Sequence, residues 1–128
     1  MNDIPIFHYD IRVYAEDVDF MGIMYHANYL FYYERARTEM LRAQNLLLTD
    51  LNKQNVLFAI KELTIQYIAP AKLDDLLTIT AEIMEIRACS LVFNQHINNQ
   101  QGKRISEAKV QVVCVNGDLK PKRLPHLF

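Results

Sequence analysis

Between Glu16 and Tyr29 the chain concentrates groups that handle protons and negative charge: Glu16-Asp17-Val18-Asp19-Phe20-Met21-Gly22-Ile23-Met24-Tyr25-His26-Ala27-Asn28-Tyr29. Three carboxylates fall within four residues, a glycine follows, and His26 and Asn28 stand where a helical pattern begins. The first backbone N–H groups of a helix have no intrahelical partner and favour negative charge. A carbonyl held there, such as that of a thioester, would be polarised and its oxyanion stabilised. An ionised aspartate beside it would attack the carbonyl carbon or activate a water. Acidic loops before helices also serve as caps and solvated turns, and the residues alone leave both readings open.

The elements on either side have to position that loop. Ile11 to Tyr14 reads as a short strand leading into it. From about Asn28 the pattern is helical, with Leu30, Tyr33, Ala36, Met40 and Leu41 on one stripe and Glu34, Arg35, Arg37, Glu39 and Arg42 on the other faces. Arg35 with Glu39, and Glu34 with Arg37, are spaced to pair along the helix. Thr49 to Gln54 reads as one further helical turn capped by Thr49 or Asp50. The period then switches to two, in Leu63–Tyr67, Leu77–Met84, Leu91–Asn98 and Ala108–Val115. Pro70 and Asp74-Asp75 separate the first pair of these strands, and short connections at 86–90 and at Gly102 imply antiparallel meanders. The expectation is an α+β fold, one long helix on an antiparallel sheet of five strands. One helix cannot cover such a sheet, so a second copy is expected against it.

Composition narrows the function classes. The 128 residues fit one domain spanning 1–128. A net charge of −1 gives no reason to expect nucleic acid or an anionic membrane as partner. No apolar run approaches the ~20 residues that span a bilayer. Cys89 and Cys114 lie in no CxxC and follow no secretory signal, so free thiols in a reduced, cytoplasmic compartment are expected. His8, His96 and His126 have no metal-site spacing, and the only serines, Ser90 and Ser106, lie in no GxSxG. Three scattered glycines make neither a phosphate loop nor a dinucleotide fingerprint.

The spacing Tyr14-x-Glu16-Asp17-x-Asp19-x-x-Gly22-x-x-Tyr25-His26-x-x-Tyr29-x-x-x-x-Glu34-x-Ala36-Arg37 resembles the hotdog-fold acyl-CoA thioesterases of the 4-hydroxybenzoyl-CoA thioesterase/YbgC type. Tyr67-x-Ala69-Pro70-Ala71-x-Leu73-Asp74-Asp75, Arg87-x-x-Ser90-Leu91-Val92-Phe93 and Lys120-Pro121-x-x-x-Pro125 resemble the family's later blocks, in the same order. The resemblance implies a long helix wrapped by an antiparallel sheet, and homodimers or homotetramers with active sites at the dimer interface. It implies hydrolysis of an acyl-CoA thioester, short-chain or aromatic, with acyl carrier protein as an alternative carrier. No cofactor is implied beyond the coenzyme A that forms part of the substrate.

By motif position Asp19 matches the family's catalytic carboxylate, as nucleophile or general base. The His26 N–H matches the donor to the thioester carbonyl, and the His26 side chain stands where this subgroup often carries a functional histidine. Tyr25, Asn28 and Tyr29 line or brace the site, Glu16 and Asp17 orient the loop or bond Arg12 or Arg37, and Arg87 and Ser90 border the coenzyme A groove. The acyl pocket is expected near Met21, Phe58 and Tyr67. Ala15 departs from the family, whose members commonly carry an aromatic residue there. The alternative is a non-catalytic hotdog module that binds acyl-CoA, acyl carrier protein or an envelope-associated partner, since YbgC-type proteins are associated with the Tol-Pal system.

Overall fold

The computed structural model describes residues 4–125, so His126 lies outside the described residues. The elements run β1 (Phe7–Arg12), α1 (Asn28–Ala43), α2 (Leu48–Lys53), β2 (Leu57–Tyr67), β3 (Leu76–Ile86), β4 (Ser90–Asn98) and β5 (Arg104–Val115). The five strands make one sheet in the order β1-β3-β4-β5-β2, and every neighbouring pair is antiparallel. The α+β arrangement expected from the two periodicities is the one found.

Helix α1 lies across the inner face of this sheet. It buries Tyr29, Tyr32, Tyr33, Ala36, Arg37, Met40 and Leu41 among sheet residues such as Leu77, Ile79, Leu91, Phe93 and Val110. Each large apolar side chain taken out of water there contributes about 1.5–3 kcal/mol. Leu30, placed on the apolar stripe by its spacing, is 39% exposed. It lies on the flank of α1 that Glu34, Arg37 and Leu41 continue over β2.

The charged face also departs from simple helical pairing. Arg37 is buried and donates from Nη1 to Gln95 Oε1 at 2.9 Å, and Glu34 makes no ion pair with it among the described residues. Glu39 pairs with Arg42 at 3.4 Å rather than with Arg35, whose guanidinium stands over the Tyr32 ring at 5.5 Å. Gln95 completes a buried junction by donating from Nε2 to Tyr33 O at 3.1 Å and Thr80 O at 3.0 Å. Helix α2 starts one residue earlier than its spacing indicated, and neither Thr49 nor Asp50 caps it: its N-cap is Leu47, without a side-chain bond.

β1 and β3 position the polar loop. The register runs from Phe7↔Ala81 to Arg12↔Leu76, and the chain then continues to Val13, whose N–H donates to Asp75 O at 2.9 Å. The Asp74 N–H returns a bond to Val13 O at 3.0 Å. The loop between β1 and α1 is thus fixed at its root to the β2–β3 connection.

Candidate active site

From Ala15 to Asp17 the chain makes one 3-10 turn. The Asp17 N–H donates to Tyr14 O at 2.9 Å, and the Asp17 carboxylate accepts the Tyr14 N–H at 2.9 Å. Asp17 therefore orients the loop as expected, but through the backbone. Arg12 donates to Asp74 O at 2.7 Å and Arg37 to Gln95, so neither bonds Glu16 or Asp17.

The chain next folds into a narrow ladder. Tyr25 N–H donates to Asp17 O at 2.9 Å, Val18 pairs with Met24, and Asp19 N–H donates to Ile23 O at 2.9 Å. The turn closes with Gly22 N–H on Asp19 O at 3.0 Å. Gly22 has φ 77°, a left-handed conformation that glycine adopts without a Cβ penalty. Asp19 Oδ1 accepts the Met21 N–H at 2.8 Å, an Asx turn that fixes one carboxylate oxygen and leaves Oδ2 with no protein donor among the described residues. Phe20 and Met21 at the tip face solvent. Met24 N–H donates to Ala71 O at 2.8 Å, and Ile23 pairs with Lys72, which seats the ladder on the β2–β3 connection.

The helix start follows directly. Asn28 Nδ2 donates to Asp17 O at 3.1 Å and its N–H donates to Tyr25 O at 3.0 Å. Tyr67 Oη donates to His26 O at 2.9 Å. The His26 ring lies 4.6 Å from Tyr25 and 6.4 Å from Tyr67, and Tyr29 packs edge-on against Tyr67 at 4.9 Å. Tyr29 is buried, and its hydroxyl accepts the Ala71 N–H at 3.3 Å; burial pushes its ionisation up, so it stays a neutral brace. The backbone N–H groups of His26 and Ala27 make no hydrogen bond among the described residues. Asp19, Tyr25, His26, Asn28 and Tyr29 are thus brought together as expected.

Two expected contributors lie elsewhere in the protomer. Arg87 pairs with Glu85 at 2.7 Å in the β3–β4 turn, and Ser90 is buried beside it. The loop sits at the Leu76 end of β3 and this turn at the Ile86 end, about 30 Å apart at the rise of a strand. Met21, Phe58 and Tyr67 do not converge either. Phe58 lines a cavity of about 220 Å³ between α1, α2 and the sheet, with Leu41, Leu48, Leu91, Phe93 and Val112. Tyr67 is at the other end of β2, beside His26, and Met21 is at the loop tip.

Tyr32 is a neighbour that the sequence did not single out. It is 1% exposed, and its hydroxyl faces the Asp17 carboxylate, with no other hydrogen-bond partner among the described residues. Burial first, then the nearby Asp17 and Glu16 carboxylates, push its ionisation up. Its only advance signal was the i+3 step from Tyr29 on the buried stripe.

Residues 13–127 match the model of the Thioesterase-like superfamily. An Escherichia coli O6:H1 protein named acyl-CoA thioester hydrolase YbgC is 46% identical over 121 residues, 94% of this chain and 90% of that protein. A Haemophilus influenzae protein named acyl-CoA thioesterase YbgC is 42% identical over 121 residues, 93% of this chain and 88% of that one. A solved structure described as a probable thioesterase from Bartonella henselae superposes with a TM-score of 0.90 at 33% identity, covering 94% of this chain and 100% of that chain.

Proposed function

The chain belongs to the Thioesterase-like superfamily, and on that footing we propose that it hydrolyses acyl-CoA thioesters to the free acid and coenzyme A at the Asp19 loop. The observation that carries this reading is the ladder from Asp17 to Tyr25. It holds an aspartate with one fixed and one open oxygen beside a helix start with open N–H groups. Asp19 stands two residues beyond the Asp17–Tyr25 bond, about 7 Å along the ladder. A carbonyl bonded to the His26 N–H at about 3 Å, with its carbon about 3.5 Å from an attacking oxygen, fills such a gap.

Two routes use the same atoms. As general base, Asp19 takes a proton from water while the oxygen adds to the thioester carbon. As nucleophile, Asp19 adds directly, expels the thiolate and leaves an anhydride that water then opens. In both, negative charge collects on the carbonyl oxygen at the His26 N–H, and the departing sulfur ends as the coenzyme A thiol. Tyr67, by fixing His26 O, holds the His26–Ala27 peptide at the helix start in place. The exposed His26 ring adds a second donor beside the same position.

The cavity lined by Phe58 supports a small acyl group. At about 220 Å³ it falls below the ~300–1,000 Å³ of pockets for drug-sized ligands, so short-chain or aromatic acyl groups fit best. Turnover is expected to fall as the chain lengthens across an acyl-CoA panel, measured as thiol release. A preference for long chains would refute this assignment.

The cavity begins at Glu34, eight residues and about 12 Å along α1 from His26. A short acyl group therefore cannot join the carbonyl site to the cavity of the same protomer. A two-fold dimer that pairs the open β2 edges antiparallel would set the Phe58 end of one copy against the Tyr67 end of the other. We propose such a homodimer as the working unit. Sedimentation equilibrium showing an active monomer would exclude it.

A further inference from the structure

β4 and β5 hold their register from Ser90↔Val113 inward, so the residue before β4, Cys89, stands opposite Cys114. The Cys114 N–H donates to Cys89 O at 2.7 Å. A single bond of that length keeps the two Cα atoms within about 6.5 Å of each other. That bound lies within the roughly 4.4–6.8 Å that disulfides span. Cys114 lies on the buried face of β5, and Cys89 sits in the bend that leads into β4. Cys114 is fully buried and Cys89 half-buried, so an oxidant has access to one thiol of the two. Among the described residues the Cys114 thiol makes one hydrogen bond, a weak one to Arg123 O at 3.7 Å.

We propose that Cys89 and Cys114 form a reversible dithiol–disulfide site, oxidised by hydroperoxides. The half-exposed Cys89 sulfur attacks a peroxide oxygen, the O–O bond breaks, and one water leaves with hydrogen peroxide as oxidant. The Cys114 sulfur then displaces the sulfenic oxygen as a second water, and the S–S bond forms. Two thiol hydrogens and two electrons pass to the peroxide, which balances the step. Burial raises the Cys114 thiol, with Lys122 opposing and Cys89 adding to the rise. The raised thiol carries little thiolate, so Cys114 enters only at the second step, where its position beside Cys89 rather than its nucleophilicity drives the attack.

The product would staple the start of β4 to the end of β5. Cys114 pairs with Phe58 on its other side, so the site lies in the same cross-strand row as a wall of the cavity.

The full-length reduced chain is treated with hydrogen peroxide, alkylated under denaturing conditions and digested with trypsin without reductant. The expected result is a fall from two titratable thiols to none and a mass loss of about 2 Da. A peptide covering 88–103 should be linked to one covering 110–122, and dithiothreitol should reverse the link. Cys89→Ala and Cys114→Ala should each abolish it. Two thiols surviving peroxide, Cys89 driven to sulfinic acid without a link, or disulfides only between chains would overturn the proposal. The wild-type digest decides even if a variant fails to fold.

Discussion

Gln95→Leu is expected to lower the unfolding free energy by about 3 kcal/mol, read as a lower urea midpoint with an unchanged m-value. Gln95 is 1% exposed and serves three groups at once: the Arg37 guanidinium, Tyr33 O and Thr80 O. Leucine nearly matches its volume, so no large cavity opens and the polar contribution is isolated. Arg37 is 8% exposed, and burial already pulls its pKa down, with only the Glu34 charge opposing. Removing its acceptor strands a buried cation, and two carbonyls lose a donor in the same low-dielectric place. A loss under 1 kcal/mol would mean that water or rearrangement satisfies these groups.

Asp19→Asn is expected to lower kcat by about a hundredfold or more while leaving KM and the fold nearly unchanged. Asparagine keeps an oxygen for the Met21 N–H, so the Asx turn and the ladder survive. What it lacks is the negative charge and basicity of the open oxygen. The variant thus separates a turn-forming aspartate from a catalytic one, and steady-state thiol release with a circular dichroism control checks it. Near-normal turnover would reduce Asp19 to a turn residue. Parallel loss of folding would leave the stability of the loop, not chemistry, as the cause.

The helix start at Asn28 and the cluster around Asp19 were legible because each depends on local signals, a change of period and a dense polar run. The strands were legible only where alternation is unbroken. β2 begins at Leu57, six residues before its reading, because a register shift between Ile60 and Glu62 leaves Ile60, Lys61 and Glu62 exposed in a row. β1 spans Phe7–Arg12 rather than Ile11–Tyr14, and its true alternation of half-buried Phe7, Tyr9 and Ile11 ends where Val13 turns into the loop. Arg37 on a helix face reads as solvated charge. Its burial follows from Gln95, 58 residues away, and no helical spacing announces such a partner. The distance between Arg87 and the loop was equally hidden, since order along the chain says nothing of which end of a strand a turn occupies. Ala15 stands in the 3-10 turn that leads to Asp19.

The central claim is that this chain breaks thioester bonds rather than only binding acyl-CoA. The most direct measurement incubates purified protein with a short-chain or aromatic acyl-CoA and follows thiol and free acid together. The account predicts equal amounts of both over many turnovers, lost in Asp19→Asn. Acyl-CoA that binds and is recovered intact across the whole panel would contradict it, and would make the chain a binding module.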